Sequence, residues 1–145
     1  MSQIPEKQIV KVHLQTEIFQ QDETESFDIR ANGELVMVGD ALILRYTETL
    51  PGQPEAPVLF KFTGNGLVTL SRRGDTPMKL FFQQAQRLRA QYQTATGPLD
   101  VETLTTLLQA QVDVPAGRGD VAVDYTLFVS GQLIGQYRIR LQFNR

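Results

Sequence analysis

The sequence predicts an all-β protein: an antiparallel, mostly up-and-down, closed β-barrel of about eight to ten strands. Apolar and polar residues alternate with a period of two over most of the chain, which places apolar side chains on one face of each strand. Turn signals such as Asn65-Gly66 and Ser130-Gly131 separate these segments and join them as hairpins. The first and last segments are long, so that pairing them would remove the exposed sheet edges and favour a barrel over a sandwich.

The first third of the chain is predicted to hold four strands. The first has the longest alternation, with Val10, Val12 and Leu14 on one face opposite polar residues. Asn32-Gly33 and Gly39-Asp40 are hairpin turn signals that end the second and third strands. The predicted strands cover residues 8–20, 25–31, 35–38 and 41–49, and a loop follows over 50–57, since its three prolines cannot donate to a strand ladder.

A meander of four further strands is predicted in the middle of the chain. Turns are expected at Asn65-Gly66, at residues 73–75 and at Gly97-Pro98. Each strand has one face that alternates with polar residues and is therefore expected to point inward. The residues on these faces are Val58, Phe60 and Phe62, then Val68, Leu70 and Arg72, then Met78, Leu80 and Phe82, and finally Leu88, Ala90, Tyr92 and Thr94.

The last third of the chain is predicted to return to the start of the sheet. A strand begins at Leu99, and residues 104–112 fit either its continuation or a short helix, with continuation as strand favoured in an all-β chain. A loop is expected over 115–120, followed by strands over 121–129 and 133–143. The inner face of the last strand is predicted to carry Leu133, Tyr137 and Ile139. The whole chain, residues 1–145, is predicted to form a single domain.

Several short segments together resemble the YwiB-like family of small bacterial proteins, which is classed as a domain of unknown function. They are the run Tyr46-Thr47-Glu48-Thr49, the pair Arg72 and Gly74 after an apolar strand, Phe82, and the Tyr92-x-Thr94-x-x-Gly97 segment. The likeness extends over residues 10–141. It implies a calycin-type, lipocalin-like β-barrel, and it implies no particular activity because none is established for the family.

Composition excludes several classes of function. The net charge is −2 and the basic residues are scattered, which argues against nucleic acid as a partner. The chain has no cysteine and a single histidine, His13, so neither a cofactor, a metal site nor a catalytic triad is expected. No apolar run approaches the roughly 20 residues that span a bilayer, and the N-terminus does not resemble a signal peptide. We therefore expect a cytoplasmic monomer or homodimer that does not bind membranes.

The residues proposed for a site are charged or hydroxylated side chains on faces that otherwise point inward. Glu48 follows Tyr46 on one strand face, and Arg72 ends another. Because an unpaired buried charge is costly, we expect Glu48 and Arg72 to meet or to share water. In a ligand site, Arg72 would anchor an anionic group, oriented by Glu48 and by the hydroxyls of Tyr46, Tyr92 and Thr94. Two alternatives are an ion pair that only closes one barrel end, and solvated side chains.

Three functions follow from this pattern, in order of preference. The first is a barrel that binds a small, partly apolar or anionic ligand without catalysis. The second is a protein–protein interaction module with a filled barrel, whose partner would contact the loops at 50–57 or 114–120. The third is a hydrolase, which we place last because no nucleophile motif or catalytic constellation is recognisable. The presence or absence of an internal cavity separates the first function from the second.

Overall fold

The computed structural model describes residues 7–74 and 77–145, and within them the chain forms ten β-strands and no helix. The strands are β1 (Lys7–Gln20), β2 (Glu23–Val38), β3 (Ala41–Glu48), β4 (Ala56–Phe62), β5 (Val68–Arg72), β6 (Met78–Phe82), β7 (Arg87–Thr94), β8 (Gly97–Asp113), β9 (Arg118–Val129) and β10 (Gln132–Asn144). The predicted all-β class is confirmed. Part of the turn predicted at 73–75 lies outside the described residues.

All ten strands belong to one sheet, in the order β6-β5-β4-β3-β2-β1-β10-β9-β8-β7, with every neighbouring pair antiparallel. The predicted pairing of the first and last strands is confirmed, because β1 runs beside β10 from Lys11↔Asn144 to Phe19↔Gln136. The expectation that this pairing would remove both sheet edges is wrong. The edges lie instead at β6 and β7, in the middle of the chain, where the sheet curls until these two strands face each other.

The seam between β6 and β7 is closed without a backbone ladder in the described part of the chain. Two side chains bond β6 to the strands across the seam: the Tyr92 hydroxyl of β7 donates to the Lys79 carbonyl at 2.8 Å, and the Thr103 hydroxyl of β8, which is the next strand, donates to the Phe81 carbonyl at 2.5 Å. These bonds satisfy carbonyl groups of β6 that an open sheet edge would leave to water. The predicted antiparallel barrel is therefore confirmed as a nearly closed one.

One half of the barrel interior is filled by large apolar side chains. Their exposure is 2% or less, as expected when inward positions of successive strands interdigitate. Gln8 lies across this end, where its amide nitrogen donates to the Val114 carbonyl at 2.8 Å and its amide oxygen accepts from Arg145 at 3.2 Å. The filled end is built by Val10, Leu35, Leu44, Phe82, Val121, Val123, Leu141 and Phe143.

The turn predicted at Asn32-Gly33 is wrong, because β2 continues through it without interruption. Gly33 pairs with Val10 on one side and with Tyr46 on the other, and its φ is not in the left-handed region. A Cβ atom at Gly33 would lie 2.8 Å from the Val12 Cγ2 atom and 3.0 Å from the Arg45 carbonyl oxygen. The glycine therefore allows close packing between strands rather than a reversal of the chain.

Replacing Gly33 with alanine is therefore expected to lower the free energy of unfolding by about 1–3 kcal/mol, because the new methyl group forces the strands apart. Gly64→Ala is the matched control, since a Cβ atom at Gly64 would have the Asp40 Oδ2 atom as its nearest neighbour, at 3.9 Å. The control is expected to change stability by less than about 0.5 kcal/mol. Urea unfolding of both variants measures the difference, and equal stabilities would contradict the close-packing role.

Residues 104–112 form a strand, as favoured, and a β-bulge explains their helix-like spacing. The register with β9 shifts between Thr105 and Leu107, so that Thr106 is the extra residue. The next inward residue after Thr105 is therefore Leu108, which lies three residues further along the chain instead of two. A second register shift, between Leu133 and Gly135, places Leu133 on the outer surface with 64% exposure. The prediction that Leu133 shares the inner face is therefore wrong.

The loop predicted over 115–120 is shorter than expected, because Arg118-Gly119-Asp120 already belongs to β9. Gly119 pairs with Phe143, and a Cβ atom at Gly119 would overlap the Phe143 ring. This tripeptide is therefore part of a sheet in which its glycine lies beneath an aromatic ring.

Candidate functional site

The half of the barrel opposite the filled end encloses a cavity of about 660 Å³. It opens between the β1–β2, β7–β8 and β9–β10 turns and the loop that joins β3 to β4. Most lining side chains are apolar, and the polar ones are few, as is typical of sites for small molecules. The apolar lining includes Leu14, Ile18, Phe27, Ile29, Val58, Leu70, Met78, Leu80, Leu99, Val101, Leu127, Val129 and Ile139.

The strand register brings the predicted polar residues to one wall of the cavity. Tyr46 of β3 pairs with Val58 of β4, which pairs in turn with Arg72 of β5. Glu48 lies two residues beyond Tyr46 and therefore points to the same side of β3. All four residues line the cavity, so its polar wall is formed by three consecutive strands.

Glu48 and Arg72 form an ion pair in this wall, as predicted. The Arg72 Nη2 atom lies 2.5 Å from the Glu48 Oε2 atom, and the side chains are 32% and 8% exposed, respectively. The Oε2 atom is buried, and apart from this charged contact it has no hydrogen-bond partner among the described residues. The Arg72 charge is thus balanced by the protein itself, while the carboxylate oxygen retains capacity to accept a hydrogen bond.

Tyr46 is the second polar group with an unmet hydrogen bond at this wall. The residue is 5% exposed, and its hydroxyl has no hydrogen-bond partner among the described residues. Burial raises the pKa of the Tyr46 hydroxyl, the charge of Glu48 raises it further, and Arg72 opposes the shift. The hydroxyl therefore stays protonated at neutral pH and can donate a hydrogen bond.

Tyr92 and Thr94, the other two predicted site residues, have different positions. Tyr92 lines the cavity at the seam, and its hydroxyl donates a hydrogen bond to the Lys79 carbonyl. Burial raises the pKa of Tyr92 to about 12, although its bond to that carbonyl lowers it. Thr94 is exposed at the end of β7, where its hydroxyl donates to the Gly97 carbonyl at 2.6 Å across the turn. The structure thus places Thr94 outside the cavity, with a role in the turn.

Two further tyrosines line the cavity opposite the polar wall. The rings of Tyr125 and Tyr137 stack with centroids 5.0 Å apart and an angle of 11° between their planes. Burial raises the pKa of both hydroxyls, and that of Tyr137 accepts a hydrogen bond from the Gln20 amide at 3.3 Å. Their alternation with apolar residues on β9 and β10 marks them as inward, but it cannot place them opposite Glu48.

The loop between β3 and β4 also contributes to the cavity, which the sequence did not reveal. Leu50 is partly buried against the core, and the backbone N–H of Gln53 donates to the Leu50 carbonyl at 3.1 Å in a turn. Gln53, Pro54 and Glu55 line the cavity together with Leu50. A proline-rich composition predicts an irregular loop but carries no signal for the direction in which it folds.

His13 lies on the outer face of β1, away from the cavity. This agrees with the prediction that its side chain and that of Val12 point to opposite faces of the strand. Its Nε2 atom is 2.9 Å from the Asp28 Oδ1 atom on the neighbouring strand. Over residues 7–74 and 77–145, no three histidine, aspartate or glutamate side chains are grouped as metal ligands. In the same ranges, no helix is long and apolar enough to cross a membrane.

The fold and this site define an antiparallel β-barrel with one filled end and one hollow end. Residues 12–141 match the family DUF1934, described as a domain of unknown function, and the chain belongs to that family. The predicted relation to YwiB-like proteins is confirmed. The crystal structure of the ywiB protein from Bacillus subtilis has a TM-score of 0.80 and 18% sequence identity, over 97% of this chain and 93% of that one. This likeness concerns the fold alone. No curated protein matches the chain in sequence.

Proposed function

We propose that this protein binds a small, largely apolar ligand in the hollow end of its barrel, without catalysing a reaction. The observation that carries the proposal is the cavity of about 660 Å³. Its volume falls within the range of roughly 300–1,000 Å³ that is usual for small-molecule sites. The lining supports the proposal as well, because an apolar surface with a few clustered polar groups can bury the body of a ligand and orient one end of it.

The alternative of an interaction module rested on a barrel filled by its own side chains. A hollow end favours ligand binding over that alternative. Of the two loops that a partner was expected to contact, the one between β3 and β4 contributes four residues to the cavity lining: Leu50, Gln53, Pro54 and Glu55.

Two measurements test the proposal. Native mass spectrometry of gently purified protein, compared with its denatured mass, is expected to show an adduct that is lost on denaturation. Titration with the neutral fluorophore N-phenylnaphthylamine is expected to show saturable binding with an increase in emission. If the protein shows no adduct and no saturable binding, the proposal is overturned.

Leu99→Trp places a larger side chain in the cavity and is expected to weaken fluorophore binding by at least about tenfold, since it occupies ligand volume. Leu104→Trp is the matched control, because Leu104 lies on the same strand with its side chain on the outer face. The control is expected to bind as the unmodified protein does. Equal weakening by both variants would argue for binding outside the barrel.

A further inference from the structure

The polar wall of the cavity holds two hydrogen-bonding groups that the protein leaves unmet. Both the Tyr46 hydroxyl and the Glu48 Oε2 atom are buried and lack a hydrogen-bond partner among the described residues. Leaving a buried hydroxyl unpaired costs about 1–3 kcal/mol, so Tyr46 needs an explanation, whereas Glu48 has the charge of Arg72 beside it and still has capacity to accept a hydrogen bond. Both belong to residues that line the cavity, and a ligand reaches the two atoms once the side chains that cover them in the ligand-free protein move aside.

The two groups have complementary requirements. The Glu48 carboxylate only accepts hydrogen bonds, whereas the Tyr46 hydroxyl can donate one. The two residues lie on the same face of β3, at positions separated by about 6.6–6.8 Å along the strand. A single hydroxyl placed between them can accept from Tyr46 and donate to Glu48. A carboxylate could not donate to Glu48, and an ammonium could not accept from Tyr46.

The charges of the cavity also argue against an ionic ligand. The charged residues among the described lining are Glu48, Glu55 and Arg72, which carry one positive and two negative charges. Because Arg72 already contacts Glu48, an anion would have to compete with that carboxylate for the guanidinium. A cation would have to compete with Arg72 for Glu48. A neutral polar group avoids both costs.

From these observations we propose that the ligand carries a neutral hydroxyl on an apolar body, and that Tyr46 and Glu48 bind this hydroxyl as donor and acceptor. The apolar body then lies against the aliphatic side chains of the cavity lining. This inference rests on the proposed function and specifies the class of ligand: an apolar alcohol, in place of the anion for which Arg72 would serve as anchor.

Probes that share one alkyl chain test the inference directly. Decanol, decanoate, decylamine and decyl methyl ether are titrated against the protein in competition with N-phenylnaphthylamine. Decanol is expected to displace the fluorophore at a concentration at least about tenfold lower than the other three, because it alone can both accept and donate at neutral charge. The comparison of decanol with the ether tests the role of Glu48 without a mutation, since the ether can accept a hydrogen bond from Tyr46 but cannot donate one to Glu48.

Tyr46→Phe removes only the donor and is expected to weaken decanol about tenfold while leaving the fluorophore affinity unchanged. Tyr137→Phe is the matched control, because the Tyr137 hydroxyl lines the same cavity but already has Gln20 as partner. It is expected to bind decanol normally. Unchanged fluorophore affinity also shows that each variant has kept its cavity.

The outcomes separate this inference from the proposed function. If decanoate or decylamine binds as tightly as decanol, or if Tyr46→Phe leaves decanol binding unchanged, the hydroxyl assignment is overturned and ligand binding stands. If neither the fluorophore nor any of the alkyl probes binds, the proposed function fails and this inference with it.

Discussion

Replacing Arg72 with methionine is expected to lower the free energy of unfolding by about 3 kcal/mol, because it leaves the buried Glu48 carboxylate without its cation. Replacing Glu48 with leucine is expected to cost less, about 1 kcal/mol, since the Arg72 side chain is 32% exposed and can turn its charge toward water. The double variant is expected to be more stable than Arg72→Met alone, because it removes the unpaired charge together with its partner.

Urea unfolding of the two single variants and the double variant forms a double-mutant cycle that measures the coupling. The exposed pair of Arg45 and Glu34, whose atoms are 2.9 Å apart on the outer face, supplies a matched control cycle. There we expect little or no coupling, as is usual for surface pairs. Additive losses in the cavity cycle would mean that Glu48 and Arg72 do not depend on each other.

Truncating Phe82 to alanine is expected to destabilise the protein by about 3–5 kcal/mol, whereas truncating Phe27 is expected to cost less than about 1 kcal/mol. Phe82 is fully buried at the filled end, with its ring 4.7 Å from that of Tyr125. Phe27 borders the cavity and is 36% exposed, so it has fewer neighbours to lose. The same substitution thus measures packing at the two ends of the barrel.

Thermal and urea unfolding of these two variants provide the comparison, and fluorophore titration provides a second readout. We expect Phe27→Ala to alter ligand affinity at nearly unchanged stability. Similar stability losses for the two variants would contradict the division of the barrel into a filled end and a hollow end.

The inward and outward faces of the strands could be predicted from the sequence, because apolar and polar residues alternate with a period of two and the apolar ones point inward. That pattern placed Glu48 and Arg72 on inner faces, and the cost of an unpaired buried charge then predicted their contact. Thr94 satisfied the same pattern, yet it lies where β7 ends and a turn begins. At such a position the inner face no longer borders the interior.

Other features depend on contacts that local patterns do not record. Asn32-Gly33 is typical of a tight turn, but the glycine is needed there for the approach of Val12 and the Arg45 backbone. The bulge at Thr106 inserts one residue and shifts every later inward position, which makes a strand resemble a helix in sequence. Neither hairpin signals nor alternating polarity show which two neighbouring strands lack backbone hydrogen bonds to each other. The position of the seam could therefore not be predicted from the sequence.

Around the barrel the strands follow one another in sequence order, and the seam between β6 and β7 separates two strands that are also consecutive in the chain. Every ladder other than β1 with β10 joins strands that are consecutive in sequence, so a linker from β10 to β1 would make all of the pairing local. A break in the short β6–β7 connection would then leave a simple meander running from β7 to β6 through that linker. The barrel is thus a circularly permuted meander, and only one of its ladders must bring distant parts of the chain together.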